Sequence, residues 1–206
     1  MFYPVNLNLD IMEIIIVGGG NVALRKCMNF LDFGKSVTVL APEFDSRFLE
    51  LGNKVDLIND IFKEEYIDKF DIVVAATDDK EVNEEIACIC RKKSKLINVV
   101  DSRDLSDFTV SSYVKRGDLL IGISTGGKIP ALSAKIRRDL EEIYDESFAE
   151  YVDLLGELRE KIIKKYEDKT ERKEVLKALV KLDIEELKEI EKIYKLLVDE
   201  KIKKRF

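Results

Sequence analysis

Three consecutive glycines, Gly18-Gly19-Gly20, stand between the β-branched run Met12 to Val17 and a stretch of helix formers, Asn21 to Phe33. A strand that must turn at once into a helix needs backbone angles that glycine reaches without a steric penalty. The spacing is Gly18-x-Gly20-x-x-Ala23. In a strand-turn-helix context Gly18 makes the tight turn and Gly20 keeps a side chain away from a pyrophosphate. Ala23 lets the helix lie close to the strand. The first N–H groups of the helix then point at the phosphates. A turn that requires glycine only for its dihedral angles has the same local sequence.

The rest of the chain repeats this alternation. Gly34 predicts a left-handed stop for the first helix. Ser36 to Leu40 reads as a second strand halted by Pro42, Val55 to Ile58 as a third, Ile72 to Ala76 as a fourth and Leu96 to Val100 as a fifth. Thr77-Asp78-Asp79 is a cap cluster for a helix over Lys80 to Lys93. Strands alternating with helices predict βαβ units with right-handed crossovers, hence a Rossmann-like parallel sheet.

After Asp101 the pattern changes. Thr109 to Val114 and Leu119 to Ser124 flank Lys115-Arg116-Gly117-Asp118, the signature of a hairpin, and Pro130 opens a helix over Ala131 to Tyr144. The remainder reads as charged helix. Asp183 and Glu186 have capping-box spacing, and Ile184, Leu187, Ile190, Tyr194 and Leu197 form an apolar stripe. The expected division is a dinucleotide-binding domain over 1–105, a hairpin-helix region for dimerisation and substrate over 106–150, and a helical domain over 151–206.

Composition narrows the function. A net charge of -6 argues against nucleic acid as a partner, because phosphate binding calls for a dense basic field. Asp101 to Arg138 is nevertheless locally basic, with Arg103, Lys115, Arg116, Lys128, Lys135, Arg137 and Arg138 against Asp101, Asp104, Asp107 and Asp118. Such a segment suits an anionic small molecule, or is simply a mixed, solvated surface. The chain has no histidine, so acid-base chemistry falls to carboxylates, hydroxyls, Lys or Tyr. Cys27, Cys88 and Cys90 cannot all pair and lack zinc-site spacing, which predicts a reducing, cytoplasmic home and no metal site. The apolar run Ile14 to Val17 is too short to span a bilayer, and no signal-like segment is expected.

Several blocks together resemble a known family. Pro4-Val5-Asn6-Leu7, Val17 to Lys26, Val37 to Pro42, Ala75-Ala76-Thr77-Asp78-Asp79, Asn98-Val99-Val100-Asp101 and Ile123 to Pro130 are similar, in order, to precorrin-2 dehydrogenase, the dehydrogenase part of siroheme synthase. The resemblance covers residues 1 to 150 and only loosely the tail. It implies oxidation of precorrin-2 to sirohydrochlorin with NAD, in the form of a homodimer. Some members of that family also insert iron. By the same resemblance Asp101 is the catalytic aspartate, and Asn98 and Thr125 line the tetrapyrrole site. Asn21-Val22 and Ala41-Pro42 match segments that contact NAD.

The residues support these positions independently. Asp101 follows the fifth strand, at the edge of an open α/β sheet where ligands bind, and a carboxylate there is a suitable base. Asp101-Ser102 equally fits a loop cap. Ser124, Thr125 and Lys128 lie around Gly126-Gly127 ahead of a helix N-terminus, an arrangement suited to the carboxylates of such a substrate or to a turn with no ligand. The acid that usually ends the second strand to bond the adenosine ribose is missing. Backbone groups around Ala41 and Pro42, or Glu43, are left to hold it, and the lack of an arginine at that strand end favours NAD over NADP. Two other functions share the glycine turn: a nucleotide-sensing regulatory module of a transporter, and a reductase of another small molecule. Regulatory modules usually carry the strand-end acid and have no place for the hairpin and Gly-Gly-x-x-Pro block.

Overall fold

The computed structural model describes residues 2–203, with side chains described to residue 194. The chain divides into two compact units, Met1–Val110 and Ser111–Phe206.

The first unit contains β1 (Ile14–Val17), α1 (Asn21–Asp32), β2 (Val37–Ala41), β3 (Val55–Asn59), β4 (Ile72–Ala75), α2 (Lys80–Lys92) and β5 (Leu96–Val99). The five strands form one parallel sheet in the order β3-β2-β1-β4-β5. Val17 stands in register with Leu40 and Ala75, so β1, β2 and β4 end together. All four residues of β1 are buried, which explains an unbroken apolar run in place of alternation: helices cover both faces of the sheet. Ala23, Leu24, Cys27 and Phe30 of α1 pack with Ile14, Ile16, Val37, Val39, Ile72 and Val74 on one face. Ile86, Ala87, Ile89 and Cys90 of α2 pack with Ile15, Val17, Leu40, Val73, Ala75 and Ile97 on the other. Each fully buried aliphatic side chain contributes about 1.5–3 kcal/mol by leaving water.

Turn chemistry places the helix ends. Gly34, at φ +75°, terminates α1 as expected. The Asp79 carboxylate accepts from the amides of Glu81 (2.8 Å) and Val82 (3.3 Å) and caps α2. 3₁₀ turns fill the connections on either side of β3, over Ser46–Lys54 with a non-helical kink at Gly52 (φ +58°) and over Glu64–Ile67.

The hairpin begins later than its β-branched residues suggest, at Ser112 rather than Thr109. The preceding residues are used by β5, the edge strand. The Asp107 amide donates to the Ile97 carbonyl (2.8 Å) and its carboxylate accepts from the Ile97 amide (3.2 Å), while the Ser106 hydroxyl accepts from the Val99 amide (2.9 Å). Residues 101–108 therefore close the open side of β5.

The second unit contains β6 (Ser112–Arg116) and β7 (Leu119–Ile123), paired antiparallel around Gly117 at φ +55°. It continues with α3 (Pro130–Ile143), α4 (Ser147–Lys165), α5 (Lys169–Leu179) and α6 (Ile184–Lys203). Pro130 occupies the first turn of α3. Leu154, Leu158, Leu179 and Leu187 form the core of the helical part. The capping box at α6 is reciprocal: the Glu186 amide donates to Asp183 Oδ1 and the Asp183 amide to Glu186 Oε2, both at 2.9 Å. Of the apolar stripe, Leu187 is fully buried and Ile190 exposed, and the Leu197 side chain lies outside the described residues.

Candidate active site

The glycine turn lies at the C-terminal edge of the sheet. The Gly18 amide donates to the Leu40 carbonyl (2.9 Å) and the Ala76 amide to the Val17 carbonyl (2.8 Å), so the turn is tied to both neighbouring strands. Gly18 has φ +127°, and a Cβ there would come within 2.2 Å of the Ala76 oxygen. A Cβ on Gly19 would lie 1.9 Å from the Glu43 oxygen and 2.9 Å from the Ala41 Cβ. Gly20 differs from both: its φ is -85°, and a Cβ there would meet nothing within 4 Å. Two of the glycines are thus required by the fold itself, whereas the third fronts open space. Gly20 is also the N-cap of α1 and makes no side-chain cap bond, so the first amides of α1 are left for another acceptor. Bare backbone, open space and uncapped amides together fit a dinucleotide pyrophosphate.

Gly18, Gly20, Asn21, Val22, Ala41 and Pro42, expected from the sequence, are gathered around this turn through the β1–β2 register and the Gly19–Ala41 proximity. Sequence reasoning offered Glu43 after Pro42 but missed Asp45 and Arg47 in the same loop. The Asp45 amide donates to the Gly19 carbonyl (2.8 Å), which folds the loop back over the turn. Arg47 then donates through Nε to Asp45 Oδ1 (2.9 Å) and through Nη2 to both Asp45 Oδ2 (2.6 Å) and Asn21 Oδ1 (3.0 Å). These bonds hold the Asp45 carboxyl at about 2, below the usual range. The strand end itself has no arginine, but the fold returns one to the turn from six residues beyond Ala41. No local spacing signals that return.

The loop after β4 is braced by Asn83 of α2, a buried polar residue that the sequence reading also passed over. Asn83 Oδ1 accepts from the Thr77 amide (3.2 Å), and its Nδ2 donates to the Thr77 carbonyl (3.0 Å).

Asn98 and Asp101 lie at the end of β5, on the same sheet edge as the glycine turn. Asn98 is 5% exposed, and its Nδ2 donates to the Phe108 carbonyl (3.0 Å). Its Oδ1 is buried and has no partner among the described residues. An orphaned acceptor of this kind costs about 1–3 kcal/mol unless a donor reaches it. Asp101 is exposed and takes φ +59°, a left-handed conformation that Asp and Asn tolerate better than most residues. The Ser102 amide donates to the Val99 carbonyl (3.3 Å), which closes the turn beneath it. Lys26 on α1 is half-buried. Burial is the main cause that holds its amine below the ordinary lysine value, Arg25 adds to this, and the charge of Asp101 works in the opposite direction.

Ser124, Thr125 and Lys128 belong to the second unit and are close to one another. The Thr125 hydroxyl accepts from the Ile129 amide (3.3 Å) and from the Ser133 hydroxyl (3.3 Å), and the Ser124 hydroxyl accepts from the Gly126 amide (3.1 Å). Both hydroxyls therefore shape the turn into α3. Lys128 is exposed. A separate shallow depression on α5, bordered by Lys169, Arg172, Lys173 and Leu176, contains none of these residues. Among the described residues no group of three Cys, Asp or Glu side chains is placed to hold a metal ion.

Residues 5–112 match the family model described as "Putative NAD(P)-binding", over half of the chain. The chain belongs to this NAD(P)-binding family. Residues 116–143 match a second model, described as sirohaem biosynthesis protein central. The siroheme synthase of Pseudoalteromonas translucida is 33% identical over 175 residues, which is 84% of this chain and 37% of that protein. The siroheme synthase of Methylococcus capsulatus is 34% identical over 163 residues, 78% of this chain and 34% of that protein. The chain thus spans little more than a third of the length of these relatives. Among solved structures, SirC, a precorrin-2 dehydrogenase, is similar at a TM-score of 0.75 and 29% identity, covering 94% of this chain and all of that one. The fold class expected from the glycine turn and the strand-helix alternation is the observed one.

Proposed function

We propose that this protein oxidises precorrin-2 to sirohydrochlorin with NAD. The observation that carries the reading is a single sheet edge that holds both an uncapped helix N-terminus behind bare glycine and, beyond β5, the Asp101 carboxylate. The likeness to SirC over the whole of that chain, at 29% identity, supports the substrate class.

When bound, the nicotinamide supplies the hydride acceptor. The α1 amides and Gly20 receive the pyrophosphate, Asn21 and Val22 border it, and Ala41 and Pro42 border the adenosine side. Asp101 takes the proton that the macrocycle releases as hydride departs, so that the substrate loses two electrons and two hydrogens. Asn98 Oδ1, short of a donor, accepts from a pyrrole N–H. In the second unit, taken by itself, Ser124, Thr125 and Lys128 are our candidates for holding carboxylates, Lys128 by charge. Iron, where inserted, would be a substrate rather than a resident cofactor.

The same reading includes a homodimer in the cytoplasm, where Cys27 and Cys90 stay as free thiols. Leu120, Ile129 and Leu132 are exposed on the hairpin and around the start of α3, and the two-stranded sheet leaves its outer edges unpaired among the described residues. Such edges favour pairing with a second copy. We therefore keep the hairpin-helix region (106–150) apart from the helical region (151–206). No described helix is long and apolar enough to cross a membrane.

The test is spectroscopic: precorrin-2 and NAD are mixed with the protein, and the spectrum of the product is followed before and after iron is added. Asp101→Asn keeps a residue that tolerates φ +59° and removes the base. It should lower turnover by about 10²–10⁴-fold while NAD affinity stays unchanged. Full turnover in that variant discards Asp101 as base, and NADH formation from another substrate but not from precorrin-2 discards the substrate.

A further inference from the structure

The adenosine side of the glycine turn has its own charge pair. In folds of this type the loop after the second strand meets the adenosine ribose. An acid there bonds the 2′-hydroxyl of NAD, whereas an arginine there accommodates the 2′-phosphate of NADP. Here the strand ends in Ala41-Pro42, with no acid at the usual place. The loop that follows supplies both residue types. Glu43 lies directly over Gly19, since its carbonyl leaves no space for a Cβ there, and the Asp45 amide is bonded to the Gly19 carbonyl. Arg47 is bound by both oxygens of Asp45 and reaches Asn21 at the start of α1. Its side chain is 52% exposed against 23% for Asp45, so the cation faces outward while the carboxylate lies behind it. Its Nη1 makes no hydrogen bond among the described residues.

We propose that the Asp45–Arg47 pair sets the choice between NAD and NADP in this protein: Asp45 keeps the arginine engaged and neutralised, so the 2′-hydroxyl is accepted and the 2′-phosphate is not. The inference rests on the reading of the glycine turn as a dinucleotide site. The bidentate fork that would bind a phosphate is committed to a carboxylate of the same geometry. Removing the charge of Asp45 releases that fork next to the ribose. Asp45 thus acts through Arg47 as a positioning residue.

The experiment measures binding of NAD and of NADP by calorimetry to the full-length wild type, Asp45→Asn, Arg47→Gln and the double variant. Asparagine is chosen because Asp45 also accepts from the Arg47 amide at the start of the 3₁₀ stretch (3.0 Å), a cap that Asn can provide. Wild type should bind NAD at least tenfold more tightly than NADP. Asp45→Asn should shift that ratio towards NADP by tenfold or more, with a steeper salt dependence for NADP. In the Arg47→Gln background the same change should shift the ratio by less than twofold, a cycle that isolates the pair. Asp45→Glu, which restores the charge, should return the preference to NAD. A purely structural role would weaken both nucleotides together and leave the ratio alone, and that result overturns the proposal. A wild type that prefers NADP, or a shift that persists without Arg47, also overturns it. A wild type that binds neither nucleotide ends both this proposal and the reading of the glycine turn, whereas NAD binding with an unmoved ratio ends this one only.

Discussion

Gly18 and Gly20 answer to different constraints, and substitution separates them. Gly18→Ala meets both a positive φ and the Ala76 carbonyl, so it should cost about 2–5 kcal/mol of stability, read from the midpoint of urea unfolding. Gly20→Val has ordinary φ and open space, so it should unfold at nearly the wild-type midpoint yet lose NAD binding, measured by calorimetry. Equal loss of stability in the two variants would remove the distinction. The glycine spacing and the separate tasks expected of Gly18 and Gly20 were legible from the sequence, but the contacts that leave no room for a Cβ at Gly18 and Gly19 were not, because Ala76 and Glu43 lie far along the chain. Asp101 was legible as a position just past a strand. Its left-handed backbone was not, because that comes from the loop back-bonded to β5. Among the three thiols, burial pushes Cys27 up to about 11 and Cys90 up to about 12, while Cys88 is exposed. Native protein should therefore react with one equivalent of a disulfide reagent quickly and with the other two only on unfolding.

At the scale of elements, the strand and helix positions followed from local pattern, and what local pattern omitted was pairing. The five strands of the sheet, the Gly34 stop and the Asp79 cap were all foreshadowed. Thr109 to Val114 also read as continuous strand, but its first residues lie beyond the hairpin because Ser106 and Asp107 tether the segment to β5. A side chain that replaces a missing neighbouring strand leaves no periodic signature. The caps make a prediction of their own. Asp79→Ala removes the acceptor for two amides and should cost about 1 kcal/mol, seen as a lowered thermal midpoint, whereas Asp79→Ser should recover most of it. An unchanged midpoint for the alanine variant would mean that α2 is held by its packing against the sheet alone.

For the molecule as a whole, pH dependence follows from which groups are perturbed. Asp45 and Asp60 are each held at about 2 by hydrogen bonds, first from Arg47 and from Lys63, against an ordinary 3.8. Their contribution is present above 3.8 and is lost as pH falls through about 2. Cys27 and Cys90 stay protonated in the fold beyond their ordinary 9.0, so they favour unfolding as pH rises from 9 towards 11. Lys63 and Lys93, raised by their carboxylate partners, likewise lose their contribution above 10.5. With no histidine in the chain, stability measured by urea unfolding should be nearly flat between pH 5 and 8, with an acid limb that Asp45→Asn and Asp60→Asn together make shallower. A step near pH 6.5 would contradict this. The sequence alone determined the parallel sheet, its helices and the glycine turn, because periodicity, β-branching and turn residues act over neighbours a few positions apart. Only the tertiary structure decided that Arg47 returns to the turn, that Asn98 is buried with an acceptor to spare and that Thr125 bonds its own loop, because hydrogen bonds between distant residues depend on which backbone groups the strands leave unpaired.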